Sequence, residues 1–359
     1  MFLINDSEYE NNSYTFFGPV GMAFYDDGNV LDDTYAVKVA LSVCLGITMV
    51  LGIVGNVFTC AMIIQNRAMR TPTNYYLLNL AITDLLLVLF VPIEIYIIWV
   101  PDFYPLGEVG CHLHFLLWDI LSYCSLLIIT AFTVERYIVV TRPFLRQKLS
   151  LNSRVFKIVG VIWAVSIILN LPDIFNIDLL ERKKYVFCYF SVSDTISILL
   201  IVEIIVIFII PMTIIFSLYI LITYQLKCTH RKLRSSPASG QHNKDKALKL
   251  IAAVAILFLI SWSPYCALRV MLILPKFEYE NDYNVWKVLN YLCYIAHLSS
   301  AVNPILYGLM SKKFRQAFKA FVRRPKCYNW KRTNLAKRSI TRNNSKNEIT
   351  LREVKLNDT

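Results

Sequence analysis

Residues 195–226 read TISILLIVEIIVIFIIPMTIIFSLYILITYQL, and Glu203 is the one charged residue among them. A helix crossing a bilayer needs about 20 largely apolar residues, because a rise of about 1.5 Å per residue then covers the hydrocarbon core. Six further runs of this kind lie near 36–64, 74–100, 108–140, 155–175, 247–274 and 285–310. In lipid, only helices and closed barrels satisfy their own backbone polar groups. A barrel would show alternating segments of about 10 residues, whereas these runs are longer and continuous. The sequence therefore predicts an all-α membrane protein, a bundle of seven transmembrane helices.

Orientation follows from the basic residues. The first 37 residues hold no Lys or Arg but seven acids. Alternate loops and the tail then collect thirty of the 37 basic residues, fifteen of them between Lys312 and Lys355. Positive loops stay in the cytoplasm, which places the amino terminus outside, the tail inside and an odd number of spans between. The expected location is the plasma membrane, multi-pass. The net charge of +12 is thus mainly a topology signal, and the basic tail suits anionic lipid better than nucleic acid. Met1-Phe-Leu-Ile4 is too short an apolar start for a secretory leader, so the first span is expected to direct insertion. Asn5 and Asn11 begin glycosylation sequons on the outer side.

Nine cysteines divide by compartment. Five sit inside apolar runs, where a thiol behaves as a small buried hydrophobe, and Cys228 and Cys327 face the reducing cytoplasm. Cys111 and Cys188 lie in an oxidising compartment, and their pairing would tie the second outer loop over the third helix. Cys327, in the basic tail, is a candidate for palmitoylation.

Polar residues inside the runs each need a reason, since a charge at mid-bilayer costs about 2.5–3.5 kcal/mol on insertion scales. Asp84 lies mid-run, with Asn56, Ser125, Ser299, Ser300 and Asn303 near its depth. They form either a sodium site centred on Asp84 or a static polar contact between helices.

Gly55-Asn56, Leu80-Ala-Ile-Thr-Asp84, Cys111, Glu135-Arg-Tyr137, Trp163, Pro211, Trp262-Ser-Pro264 and Asn303-Pro-Ile-Leu-Tyr307 occur in order, every run contributing. Over about residues 36–323 the chain resembles the rhodopsin-type (class A) G-protein-coupled receptors. Glu135 replaces the commoner Asp, and Ser261 stands where Cys often precedes the Trp.

Arg136 lies 25 residues past Cys111, about 37 Å along a helix, and so belongs at the cytoplasmic face. The resemblance implies that Glu135 holds Arg136 at rest, and that activation frees Arg136 and Tyr137 to meet a heterotrimeric G protein. Tyr219 and Tyr307 would then approach Arg136, and Phe144 would plug a groove on the G protein. A second resting clamp in the family comes from an acid at the inner end of the sixth helix. Lys244 stands there instead, which predicts measurable basal activity. Pro264 removes a helical hydrogen bond and kinks the sixth helix, where Phe258 and Trp262 resemble an activation switch together with Asn303, Pro304 and Tyr307.

The ligand is read from the outer half. Trp118 stands where amine receptors place their Asp, and His297 where opsins place their retinal Lys, so neither class is favoured. Glu94, Trp118, Asp119, Ser122, Glu203, Tyr265, Arg269 and His297 are expected to line an outer cavity, with Tyr123 and Tyr291 as aromatic walls. Three acids and one Arg suit a ligand with its own charges, such as a peptide; alternatively Asp119 and Arg269 simply pair across the bundle. The stretch Asp119–Tyr137, with Thr73-Asn-Tyr-Tyr-Leu-Leu78, is similar to the ghrelin, neuromedin U and pyrokinin receptor group. That group implies a neuropeptide ligand and Gq-type calcium signalling.

The domains expected are an extracellular tail at 1–35, the seven-span domain at 36–310, an amphipathic membrane-surface helix at 311–323 and a disordered basic tail at 324–359. Phe314, Phe318 and Phe321 share one face of that surface helix. Ser339, Thr341 and Ser345 are candidate kinase sites for arrestin recruitment. Other classes fit less well. No His-Glu-x-x-His helix, Gly-x-Gly-Asp pair or Gly-rich phosphate loop points to an enzyme, and no cofactor beyond the possible Na+ is implied. His112 and His114 read as interfacial rather than metal ligands. A transporter would show internal repeats, and none is evident; a lipid or small-molecule receptor stays open as an alternative.

Overall fold

The computed structural model describes residues 14–17, 22–26, 29–30, 33–141, 152–181, 185–191, 194–232, 256–257, 259–271, 273, 288–289, 291–294, 296–310 and 314–316. The chain divides into two compact units, Met1–Arg315 and Gln316–Thr359, and the spans and outer strands belong to the first. Among the described residues five helices are long and apolar enough to cross a membrane: Tyr35–Gln65, Pro72–Trp99, Gly107–Ile138, Ser153–Phe175 and Ile196–Leu221. These are the first five spans. Residues 259–271 are helical in the sixth, and Ala296–Met310 in the seventh.

The third span is the axis. In its most apolar window 72% of residues are buried, against 22% in the first and fourth spans. Exposed Val43, Ile47, Val50, Val54 and Ile168 are lipid-facing positions of those outer helices, where apolar surface is the correct solvent match.

Breaks in the helices follow from proline. Pro92 has no N–H to give the carbonyl one turn back. The second span accordingly tightens at Leu89 and Phe90, whose amides reach Leu86 O at 3.2 Å and Leu87 O at 3.1 Å. The helix restarts at Val91 and turns Glu94 inward, where it is buried. In the fifth span a wide π turn over Ile204–Ile209 immediately precedes Pro211, the kind of local widening that recurs at functional sites. At the start of the second span, Thr71 Oγ1 accepts from the Asn74 amide at 3.4 Å, with Pro72 in the first helical position.

Gly55 lets the first and seventh spans meet. A Cβ added there would stand 2.8 Å from Pro304 Cβ, inside any tolerable contact. Gly55→Leu is therefore expected to force these helices apart and to reduce surface receptor several-fold, as read by cell-surface immunodetection, while the lipid-facing Gly46→Leu leaves it unchanged.

The outer face carries β structure that an all-helical reading does not foresee. Strands β1 (Tyr14–Phe17), β2 (Met22–Asp26) and β3 (Asn29–Val30) form an antiparallel meander within the segment expected as a plain tail. In the second outer loop, β4 (Ile177–Glu181) and β5 (Val186–Phe190) pair antiparallel, with Leu179 opposite Cys188. The Cys111–Cys188 disulfide, with Cα atoms 5.6 Å apart, fastens this hairpin to the head of the third span. The first outer loop joins it through Tyr104 N to Val186 O at 2.8 Å and Val186 N to Asp102 O at 2.9 Å. In the stretch expected along the inner leaflet, residues 314–316 are helical, with Phe314 buried and Arg315 exposed.

Candidate functional site

Four spans bring charges together in the outer core. Arg269 of the sixth span donates from Nη2 to Asp119 Oδ2 of the third at 2.7 Å, and from Nη1 to Glu203 Oε2 of the fifth at 2.5 Å. Tyr265, one turn before Arg269, donates to Asp119 Oδ1 at 2.6 Å. Tyr123, one turn after Asp119, accepts from Arg269 Nη1 and donates to Glu203 Oε2, both at 2.7 Å. The guanidinium also stacks over Tyr265, 5.0 Å from the ring centre. Arg269, Asp119 and Glu203 are 4%, 4% and 3% exposed. In so dry a place, charges persist only when paired and hydrogen-bonded. The pairing across the bundle considered for Asp119 and Arg269 is thus real, and Glu203 shares it.

A fourth group has no counterpart among the expected site residues. Asp173, on the Leu171–Phe175 turn that ends the fourth span, is 3% exposed and within electrostatic reach of Glu203, Arg269 and Asp119. Neither of its carboxylate oxygens has a hydrogen-bond partner among the described residues. The signal for it is Leu171-Pro-Asp173, an acid at the end of an apolar run. Among the described residues of this cluster, three acids now face one Arg.

Trp118 connects this cluster to the floor below. Its ring centre lies 5.0 Å from Tyr265, 5.8 Å from Trp262 and 6.2 Å from His297. Trp118 Nε1, Ser122 Oγ and Arg269 Nε are buried without hydrogen-bond partners among the described residues. His297 Nε2 and Glu94 Oε2 stand 2.7 Å apart, without the alignment of a hydrogen bond. All eight residues expected to line the outer cavity are therefore buried. Tyr291 is diverted outward, donating to Asp33 just before the first span.

At mid-depth Asn303 Nδ2 donates to Asp84 Oδ2 at 3.0 Å, and Asn56 Nδ2 donates to the Ser300 carbonyl at 2.9 Å. Of the three serines expected near Asp84, Ser300 lies within its reach and the other two are engaged differently. Ser125 Oγ donates to Thr83 Oγ1 at 2.8 Å, and Ser299 Oγ bonds back to Ala296 O at 2.7 Å. A serine in a helix always has its own preceding turn as a competing acceptor.

The end expected to face the cytoplasm departs from the implied arrangement. Glu135 accepts from Arg154 Nη2 at 2.6 Å, not from Arg136. The Arg136 guanidinium lies over the Phe132 ring, 5.1 Å from its centre. Tyr137 and Tyr219 are half-buried at this level. Asn5, Asn11, Phe144, Lys244, Phe258 and Cys327 lie outside the described residues, as does the side chain of Tyr307. Pro264 falls within the helical residues 259–271, and Pro304 within Ala296–Met310.

Residues 55–307 match the family described as 7 transmembrane receptor (rhodopsin family). Human neuromedin-U receptor 2 is 32% identical over 289 residues, covering 75% of this chain and 68% of the relative. Human neuromedin-U receptor 1 is 31% identical over 299 residues, covering 75% and 70%. The pyrokinin-1 receptor of Drosophila melanogaster is 29% identical over 355 residues, covering 80% of each.

Proposed function

The chain belongs to the rhodopsin family of seven-transmembrane receptors, and on that premise we propose that it is a receptor for an extracellular neuropeptide, signalling through a Gq-type G protein and calcium. Its relatives are receptors rather than enzymes, and it is a multi-pass protein of the plasma membrane. The observation that carries the ligand reading is the buried outer cluster, where Arg269 is shared by Asp119 and Glu203 while Asp173 has no hydrogen-bond partner among the described residues. A ligand bringing its own charges completes that cluster; a neutral lipid does not. The peptide names of the similar receptors point the same way.

In this reading the ligand displaces the resting contacts of Arg269 and presses on Trp118. Trp118 touches Trp262, and the sixth helix swings outward about Pro264. Arg136, Tyr137 and Phe144 then receive the G protein, with Tyr219 and Tyr307 supporting Arg136. Arrestin and receptor kinases would act on the basic tail. Glycosylation at Asn5 and Asn11, an extracellular amino terminus and palmitoylation at Cys327 are part of the same proposal. Asp84, which accepts from Asn303 Nδ2 and has the Ser300 hydroxyl beside it, would offer a hard carboxylate oxygen of the kind that suits an alkali cation such as Na+. Sodium there would hold the resting state.

The deciding experiment expresses the chain with a calcium reporter and a promiscuous G protein, then applies a library of amidated neuropeptides. A nanomolar response to one peptide supports the reading. Silence with receptor confirmed at the surface, and a response to lipids or small metabolites instead, overturns it. Asp173 adds a sharper expectation. A charge-assisted hydrogen bond contributes about 1.5–3 kcal/mol, so Asp173→Asn should lower the potency of agonists with a basic group about tenfold or more. Because the unpaired carboxylate is gone, the same variant should melt at a higher temperature without ligand.

A further inference from the structure

The carboxylate that the family resemblance assigns to Arg136 is occupied by another residue. Arg154, in the first helical turn of the fourth span, holds Glu135 at 2.6 Å, with side chains 31% and 4% exposed respectively. The buried Tyr76 phenol stands on the same side of Glu135. Neighbouring residues on a helix point about 100° apart, and the Glu135 oxygen held by Arg154 faces the second and fourth spans, so Arg136 feels Glu135 electrostatically without being hydrogen-bonded to it. Among the described residues Arg136 forms no ion pair and rests on Phe132, one turn earlier in its own helix.

We propose that Arg154 is a positioning residue that sets the receptor's basal activity by withdrawing Glu135 from Arg136. The inference rests on the G-protein coupling proposed above and adds a residue to it. A bidentate-capable Arg at 31% exposure is well placed for this role: buried enough to hold a charge-assisted bond, and reachable enough to be released. The consequence is a receptor whose G-protein-facing Arg is available without ligand. The mechanism is separate from the missing acid at Lys244, since it works on the third span rather than the sixth.

The test measures ligand-independent G-protein dissociation with sensors for each Gα class, normalised to surface receptor. Wild type is expected above vector control, and Arg154→Ala at least threefold lower per receptor, as Glu135 returns to Arg136. Arg154→Lys keeps most of the basal signal. Glu135→Gln, which cannot hold Arg136 as an ion pair, stays active, and adding Arg154→Ala to it produces no further loss. A merely structural role would lower receptor number and thermal stability while leaving the signal per receptor unchanged. If Arg154→Ala does not reach the surface, Arg154→Gln replaces it. Unchanged basal signal per receptor in Arg154→Ala, or in Arg154→Gln where that replaces it, overturns the proposal, as does an equal loss in the Glu135→Gln background. Wild type at vector level with Glu135→Gln above it also overturns it and leaves coupling intact. All variants at vector level with every Gα class overturn the coupling itself.

Discussion

Arg269→Ala is expected to abolish the agonist response and to remove much of the receptor from the surface. The change strips the cation from Asp119 and Glu203, which hold it at 2.7 Å and 2.5 Å in a core about 4% exposed. Removing one partner of a buried ion pair costs about 3–5 kcal/mol, because the remaining charge is left without solvent or counter-ion. Here two carboxylates are left, and Asp173 adds a third acid nearby. Arg269→Lys keeps the charge but not the forked geometry that serves two acids at once, so it should fold and respond with potency reduced about tenfold or more. The informative companion is Asp119→Asn with Glu203→Gln in the Arg269→Ala background. It should restore surface receptor, since the orphaned charges are gone, without restoring the response. Immunodetection at the surface and the calcium trace, read on the same cells, separate the two effects. Surface rescue accompanied by a full response would remove Arg269 from the ligand's path.

The second large effect concerns Cys111 and Cys188. Their bond spans 77 residues of sequence, and for a soluble chain a loop of that size would contribute about 4 kcal/mol through the unfolded state. In a membrane protein the third and fourth spans stay inserted whether or not the outer loop is formed, so the constraint on the unfolded chain is smaller. What the bond secures is local: the β4–β5 hairpin, and through Val186 the first outer loop at Asp102 and Tyr104. Cys111→Ser with Cys188→Ser should therefore keep the seven-span bundle while loosening its outer cap. The expected result is an agonist potency lower by about a hundredfold, with a drop in melting temperature of several degrees in detergent. A full loss of insertion, tested by protease protection in membranes, would mean that the bond is needed earlier, during folding.

How much is legible in the sequence differs by element. The five long spans fall where runs of apolar residues place them, and the cysteine pair emerges from asking which thiols meet an oxidising compartment. Trp118, Asp119, Glu203 and Arg269 are expected in the outer core and are there. The β1–β3 meander escapes a reading by apolar runs, although Tyr14–Phe17 and Met22–Asp26 flank the sequence Gly18-Pro-Val-Gly21. Asp173 escapes it too, because it sits at the end of a run, where an acid normally reaches water. Glu135 has Arg136 as its chain neighbour, yet the structure pairs it with a residue nineteen positions later. Ser125 and Ser299 sit near Asp84 in depth but bond to Thr83 and to a backbone carbonyl.

The division has one physical cause. Lipid imposes its demand residue by residue along the chain: apolar side chains, closed backbone hydrogen bonds and positive loops on one side. Those constraints can be read in one dimension, and they suffice to place the five long spans along the chain. The partner of a buried charge is a different kind of quantity. Whether Glu135 meets Arg154 or Arg136, whether Arg269 serves one acid or two, and whether Asp173 finds any donor depend on which helix faces lie within about 3 Å of one another. That proximity comes from packing among residues far apart in sequence, and here it alone selects the contacts.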